Sequence, residues 1–395
     1  MRVGIDATSL QRQHVGTDTY LRHLLLQLGR QDPRGRYFVF SNLEDRTFLR
    51  ESLPSSFSVV PVATRARATR LVFQQIGLPL LGRAMRLDVI HSPSQLMPMI
   101  RGRAGHLLTI HDLTQLSLPD CHTRLRRSWA FRRAIGASAR RADLIVVPSE
   151  HVRSDVRAAF GVPAHRISAI PAGVSAEFSP AAATGPGPGF ASLGIDRPYV
   201  LFVGCLEPRK GLEVLLDAYL RLLEQGDAHE QLVIAGKPGW GYESVLARAR
   251  RRDLRGRVRI IGYVDQETLP ALYAKARAFV YPSRAEGFGL PPLEAMASGV
   301  PTVATDTSAL AENLEGAAEL VPVGDARRLA DALGRVLRDE SLRASLRKRG
   351  LRRAARFRWE ATAQATLDRY RALAQLGPRQ RRQPSGTRRP SAAER

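Results

Sequence analysis

Two successive series of short apolar segments constrain the fold more than any other feature of the chain. Runs suited to strands occur at 3–6, 37–41, 58–62, 88–91, 107–110, 144–147 and 167–170, and again at 199–204, 231–236, 258–262, 278–281, 302–304 and 319–321. Helix-like stretches separate most of them. A strand that follows its predecessor across a helix runs parallel to it, and a parallel sheet needs both faces covered by such helices. The pattern therefore predicts an α/β protein. Between the series, residues 179–198 turn to Pro, Gly and Ala around Gly185-Pro186-Gly187-Pro188-Gly189, the composition of a linker. Two Rossmann-like parallel-sheet domains are expected, over 1–178 and 199–356, facing across a cleft of the kind that holds small ligands. A length of 395 residues exceeds one ordinary core and suits two, and the 44% of hydrophobic residues are spread over both.

Composition removes several function classes. Cys121 and Cys205 are the only cysteines, too few and too far apart for a disulfide framework or a metal site. No metal is expected, and a reducing cytoplasm is the simplest setting. Met1-Arg2-Val3-Gly4-Ile5-Asp6 enters a strand with no apolar leader, and no run approaches a membrane span. The formal charge of +23 points to nucleic acid or an anionic membrane surface. Only four of the 60 basic residues are lysine, however, a skew that genomic base composition produces as readily as function. No zinc spacing, RNP-type run or recognition helix accompanies the charge, so nucleic acid is not an expected partner. The arginine-dense segment 124–133, with Trp129 and Phe131, reads as one helix presenting either a solvated face or a seat for anionic lipid headgroups. Residues 377–395, rich in Pro, Ser, Gly and Arg without apolar periodicity, read as a disordered basic tail.

The chemistry gathers at two turns of the second series. Val203-Gly204-Cys205-Leu206-Glu207-Pro208-Arg209-Lys210-Gly211 joins a strand to a helix over 212–223 and carries neither a G-x-G-x-x-G nor a Walker A pattern. Adjacent Arg209 and Lys210 at a helix N-terminus suit a diphosphate; an ordinary surface Arg-Lys pair is the plain alternative. Glu286-Gly287-Phe288-Gly289-Leu290-Pro291-Pro292-Leu293-Glu294 follows the strand at 278–281. Its glycines let backbone approach a ligand, and Pro291-Pro292 presets a helical first turn. Glu286 and Glu294 could then flank one cleft, although turn chemistry plus a glutamate favoured by the helix dipole would read the same way. In the first series, Thr109-Ile110-His111-Asp112-Leu113 sets His111 at a strand's carboxyl end, as a ligand contact or as a turn histidine beside the cap Asp112. Gly16 permits a backbone turn near a ligand, or is an ordinary turn glycine.

These stretches together resemble the retaining GT-B glycosyltransferases usually called family 4. The turn at 204–211 is similar to that family's G-x-L-x-x-R-K-G/N, and the run from Glu286 to Pro301 to its E-G-F-G-L-P-x-L-E-A-M-A-x-G-x-P-V. Val3-Gly4-Ile5-Asp6-Ala7, Thr109-Ile110-His111-Asp112-Leu113, Val147-Pro148-Ser149 and Phe357-Arg358-Trp359-Glu360 extend the likeness over roughly 1–376. The resemblance implies that 1–178 takes the acceptor, 199–356 takes a nucleotide-sugar, and a helix over 357–376 returns to the first domain. It implies further that Arg209 and Lys210 hold the donor diphosphate, Glu294 the ribose hydroxyls and Glu286 the transferred sugar. Gly204 would shape the donor turn, while Gly287, Phe288, Gly289 and Leu290 would bring backbone to sugar and phosphate, and His111 would meet the sugar from across the cleft. Two departures stand out: no second glycine near Asp18, and Thr307-Ser308-Ala309-Leu310 where many members have Ser-Ser-Leu-Pro-Glu.

The expected reaction moves a hexose, mannose from GDP-mannose by resemblance to bacterial mannosyltransferases of polysaccharide assembly, to a glycan or lipid-linked acceptor. It needs no cofactor, and two cations do the work of a metal. Retention would follow from front-face attack assisted by the leaving phosphate. The expected location is the cytoplasm, with peripheral contact at the inner face of an anionic membrane. UDP-glucose or UDP-N-acetylglucosamine remain open as donors. A nucleotide-sugar epimerase on the same fold and a nucleic-acid-binding protein are the readings from other classes.

Overall fold

The structure, a computed structural model, describes residues 1–10, 16–184 and 189–376. Two expectations, for the linker's centre at 185–188 and the tail 377–395, lie outside the described residues.

Two parallel sheets form, as the alternation requires. The first contains β1 (Arg2–Asp6), β2 (Arg36–Asn42), β3 (Phe57–Val62), β4 (Val89–Ser92), β5 (Gly105–Thr109), β6 (Leu144–Val147) and β7 (Ile167–Ala169), in the order β3-β2-β1-β4-β5-β6-β7. The second contains β8 (Tyr199–Val203), β9 (Gln231–Ala235), β10 (Val258–Gly262), β11 (Ala278–Tyr281), β12 (Thr302–Thr305) and β13 (Glu319–Val321), ordered β10-β9-β8-β11-β12-β13. Every strand pairing is parallel. Strands β5, β9, β11 and β12 are buried along their whole length, which is why they read as continuous apolar runs rather than as alternation.

The strand orders locate the sites. In each sheet the chain leaves the first strand toward one edge and returns to cross to the other, so β1 meets β4 and β8 meets β11 at points where the winding reverses. Loops diverge there and open a crevice at the strands' carboxyl ends. Gly16, Pro93 and His111 follow β1, β4 and β5; Arg209–Lys210 and Glu286 follow β8 and β11.

Two sequence expectations need correcting. The first helix spans Gly16–Gln31, so Gly16 opens a helix instead of shaping a turn, and a Cβ built on it meets nothing within 4 Å. The segment 124–133 breaks at Ser128, whose hydroxyl accepts from the Phe131 N–H at 3.2 Å and starts a new helix, Trp129–Arg141, after the short Arg124–Arg127 turn. Serine competes for backbone donors and favours such caps over helix interiors.

The final helix, Trp359–Gln375, packs on the first sheet. Trp359 stacks on His23 with ring centroids 4.8 Å apart, and the Tyr370 hydroxyl meets buried His91 Nδ1 at 2.7 Å. The seam between the sheets is hydrogen-bonded. Ser149 Oγ donates to the Gly287 carbonyl at 2.9 Å, and the Glu312 carboxylate accepts from the Glu150 and His151 N–H groups at 3.1 and 3.0 Å. An anion at the start of the helix Glu150–Phe160 meets two of its unpaired donors and its positive dipole end.

Candidate active site

Gly211 lets the two loops of the second sheet lie against each other. Its φ is 67°, and a Cβ there would stand 2.1 Å from the Pro282 carbonyl oxygen. The single turn Pro208–Lys210 therefore rests on the loop that leaves β11, tied by the Arg284 N–H donating to the Arg209 carbonyl at 2.8 Å. That contact carries both cations to Glu286. Arg209 Nη1 lies 2.8 Å from Glu286 Oε2, and Lys210 Nζ lies 2.6 Å from Oε1.

Further residues complete the cluster, among them Tyr281 and Ser283, to which no role attaches from sequence, and Ser308, noted above only as a departure from the family pattern. Ser283 Oγ and the Tyr281 hydroxyl donate to Glu286 Oε1 at 2.6 and 3.1 Å, and Lys210 Nζ also donates to the Tyr281 oxygen at 2.6 Å. Arg209 Nη2 donates to Glu207 Oε1 at 2.9 Å and its Nη1 to the Ala285 carbonyl at 2.7 Å. Ser308, held at a φ of 45° rare for a non-glycine residue, accepts the Glu286 N–H on its Oγ at 2.9 Å. Burial alone would raise the Glu286 carboxyl, but Arg209, Lys210 and the hydrogen bonds from Lys210 and Ser283 outweigh it and hold the group at about 2. Burial likewise disfavours the Arg209 charge, and Glu286, Asp112 and Glu207 reverse that, raising the guanidinium well above its ordinary value. Among the described residues, Oε1 of Glu286 receives three donors and Oε2 one, from Arg209. Oε1 is therefore crowded, whereas Oε2, with a single donor, keeps an acceptor position.

Glu294 stands apart from this cluster. It is the fifth residue of the helix Leu290–Ala297, 9% exposed, and accepts from the Tyr273 hydroxyl at 3.0 Å. Burial raises its carboxyl to about 7, with the Tyr273 hydrogen bond pulling the other way. Two carboxylates eight positions apart in one motif are thus opposites: one is locked in its charged form by cations, the other is pushed toward its neutral form by its surroundings.

The glycine-rich turn meets the first domain directly. A Cβ on Gly287 would lie 1.9 Å from the His111 carbonyl oxygen, so only glycine permits the two backbones to touch there. The Phe288 ring packs edge-on against Phe357 at 5.6 Å, its carbonyl accepts from Asn313 Nδ2 at 2.7 Å, and Gly289 and Leu290 begin the helix that carries Glu294. His111 Nε2 lies 3.1 Å from the Pro93 carbonyl, an acceptor only, so Nε2 carries the proton and Nδ1 is the acceptor; burial lowers the imidazole's pKa, opposed by that hydrogen bond and by Asp112. Asp112 accepts from the Thr114 N–H and hydroxyl at 3.1 and 2.9 Å, a local turn contact; the N-cap of the short helix Thr114–Ser117 is Leu113, which lies between them, so Asp112 is not the cap the sequence suggested. Gly204 follows β8, its N–H donating to the Ala235 carbonyl at 2.9 Å. Arg209 and Lys210 meet on Glu286, and His111 touches their loop through Gly287; among the described residues no hydrogen bond or ion pair links Glu294 or Gly16 to that cluster. His91, bridged to Tyr370 and to Thr109 Oγ1 at 2.7 and 2.8 Å, escaped sequence reading because a strand histidine carries no spacing signal.

Comparison with known proteins decides the family. The model of the family described as "Glycosyl transferases group 1" matches residues 190–353, and that of "Glycosyltransferase Family 4" matches 16–178. The O-antigen chain mannosyltransferase B of Escherichia coli is 32% identical over 286 residues, 72% of this chain and 74% of that protein. The chain belongs to the family 4, group 1 glycosyltransferases. A D-inositol 3-phosphate glycosyltransferase of Kineococcus radiotolerans is 34% identical over 59% of this chain and 58% of its own length. Among solved structures, sucrose-phosphate synthase from Thermosynechococcus elongatus superposes with a TM-score of 0.76 at 23% identity, over 94% of this chain and 98% of the other. WaaG, a glycosyltransferase involved in lipopolysaccharide biosynthesis, gives 0.73 at 14%, over 93% and 99%. The fold of this glycosyltransferase is GT-B. No helix among its described residues is long and apolar enough to cross a membrane.

Proposed function

We propose that this glycosyltransferase is a retaining mannosyltransferase that uses GDP-mannose and transfers to a hydroxyl of a glycan or lipid-linked acceptor, working in the cytoplasm in peripheral contact with an anionic membrane. The observation that carries the chemistry is the convergence of half-buried Arg209 and buried Lys210 on one carboxylate at the reversal point of the second sheet. The donor sugar rests on the likeness to the O-antigen chain mannosyltransferase.

As the bond from sugar C1 to phosphate breaks, positive charge grows on the ring and negative charge on the diphosphate. Arg209 and Lys210 stabilise the latter, each preorganised donor contributing about 3 kcal/mol in a site of this kind. These two cations do the work a metal would do, and no cofactor takes part. The open acceptor position on Glu286 Oε2 receives a sugar hydroxyl, His111 meets the sugar from the opposite wall, and Glu294 takes the ribose hydroxyls. Pro291 and Pro292 have no N–H, so of the first three positions of Leu290–Ala297 only the Leu290 N–H, which no helical acceptor serves, faces phosphate and sugar, together with the Gly287–Gly289 backbone. Gly204 and Gly16 border the donor. No carboxylate of the cluster stands free to act as a nucleophile, since Glu286 is committed to two cations, so the acceptor hydroxyl attacks the face the diphosphate leaves and gives its proton to the leaving phosphate. Contact between Gly287 and His111 closes the cleft and favours transfer over hydrolysis.

Thermal-shift measurements against GDP-mannose, UDP-glucose and UDP-N-acetylglucosamine test the donor, because a ligand that binds only the folded state raises Tm with concentration. GDP-mannose should give the largest shift, and release of GDP should require an acceptor. Stabilisation by a uridine donor alone would move the assignment to that sugar; diphosphate release without acceptor consumption would end the transferase reading.

A further inference from the structure

The first domain carries an exposed face that its own packing does not account for. Among the described residues, seven of the twelve exposed large apolar side chains fall between Leu71 and Trp129. The helical segment from Arg67–Val72 through the π-turn Phe73–Gly77 to Leu78–Ala84 explains part of this. Gln74, Leu78 and Gly82 are buried at a spacing of four, and Val72, Ile76 and Leu80, at the same spacing on the opposite side, are 59%, 51% and 63% exposed. A groove of about 400 Å³ connects this stripe to the helix Trp129–Arg141, lined by Leu71, Gln75, Met97, Met99, Arg133 and Arg140. Gln75 fixes its floor, donating to the Met97 carbonyl at 3.1 Å and accepting from the Met99 N–H at 2.9 Å. Trp129, 70% exposed, lies under the Arg133 guanidinium at 4.5 Å.

The charge on this face is predominantly positive, although Arg65 pairs with Glu44 and Arg127 lies 3.8 Å from Asp120. Residues 65–87 contain five arginines and 122–142 seven, with no Asp or Glu in either stretch. We propose that this face docks on an anionic lipid bilayer, with the Val72-Ile76-Leu80 stripe and Trp129 in the boundary between headgroups and acyl chains and the flanking arginines on lipid phosphates. An aliphatic stripe rimmed by arginine matches a surface that is apolar below and anionic above. A second copy of a chain carrying +23 offers no such complement. The inference deepens the peripheral-membrane part of the function above and rests on it, but is independent of which sugar is transferred.

Cosedimentation of the full chain with vesicles of phosphatidylcholine, with and without phosphatidylglycerol, tests it. Binding should require phosphatidylglycerol and weaken with salt. Val72→Ser and Ile76→Ser should each lower affinity about tenfold, and Arg133→Ala and Arg140→Ala each roughly fivefold. The charge-matched pair Lys348→Ala and Arg352→Ala, outside this face, should leave binding unchanged. Transfer to a soluble acceptor should be the same in all these variants, which separates failure of the docking face from failure of the transferase reading. Equal binding to neutral vesicles, equal loss in the Lys348/Arg352 control, or a dimer dissolved by Val72→Ser and Ile76→Ser would each overturn the proposal.

Discussion

Replacing Glu294 by glutamine isolates a proton rather than a contact. Its carboxyl is raised in the folded protein to about 7 from an ordinary 4.5, because burial disfavours the charge more than the Tyr273 hydrogen bond favours it. Between those two values the native chain keeps the proton and the unfolded chain releases it. Stability therefore falls as pH rises through the window and levels off above it. A shift of that size is worth about 3 kcal/mol. Glutamine has the shape of the protonated acid and does not titrate. Wild type and Glu294→Gln should be equally stable near the low end of the window and diverge above it, the variant gaining about 3 kcal/mol, or roughly 6–12 °C in Tm for a unit the size of the second domain. Calorimetry or urea unfolding of both proteins from about pH 5 to about pH 8 measures the difference directly. Parallel curves would refute the reasoning, since they would mean Glu294 carries the same proton folded and unfolded. Donor supplies a second arm. On the proposed role of Glu294, ribose hydroxyls favour the ionised carboxylate, so the proposed donor GDP-mannose should stabilise wild type more at the alkaline end than at the acid end, and the variant's weaker response should not change with pH.

Glu286 should show the opposite dependence: its folded value near 2 against 4.5 unfolded makes a stabilising contribution present above 4.5 and lost as pH falls toward 2. Comparing the acid unfolding of wild type and Glu286→Gln reads that loss. Lys210→Ala should lower kcat about 10²–10³-fold with an unchanged far-UV circular dichroism spectrum; wild-type turnover would remove the residue from catalysis. Gly287→Ala places a Cβ 1.9 Å from the His111 carbonyl and should hold the domains apart, lowering kcat about 10²-fold and increasing the radius of gyration in X-ray scattering. Tyr370→Phe deprives buried His91 Nδ1 of its partner and should destabilise the protein by about 1–3 kcal/mol in urea unfolding without changing KM for donor.

The sheets were legible because each buried strand is a short apolar run bounded by turn residues, so the β1–β13 positions read from sequence lie close to those observed. Helix starts were less so. Gly16 reads as a loop residue because glycine is a poor helix former, yet it sits at the helix's first position, where propensity matters least. Ser128 carried a cap signal that the dense arginines around it hid. In the site, Arg209, Lys210 and Glu286 were visible as residue types, but their mutual ion pairing was not, because the contact depends on Gly211 seating one loop on another. Tyr281, Ser283 and Tyr273 read as strand, turn and helix residues; only the fold reveals that their hydroxyls serve the two glutamates.

The cluster also bears on how the proposed reaction gains its rate. Buried Lys210 and half-buried Arg209 could not be held in place alone, since the desolvation of each costs several kcal/mol. Glu286 and Glu207 supply two opposite charges, Ser283 and Tyr281 fix the Glu286 carboxylate, and the set is close to neutral before any donor arrives. A diphosphate entering such a site finds cations already oriented but partly satisfied, which moderates ground-state binding. The charge that matters is the increment gained by the phosphate as its bond to the sugar breaks, and Arg209 and Lys210 meet that increment without moving. Interactions stronger in the transition state than in the bound donor raise kcat rather than lowering KM. On this account Glu286→Gln, which removes the carboxylate from Lys210 and leaves Arg209 paired with Glu207 alone, should tighten diphosphate binding while slowing transfer, and equal losses in both would show that the carboxylate only builds the site.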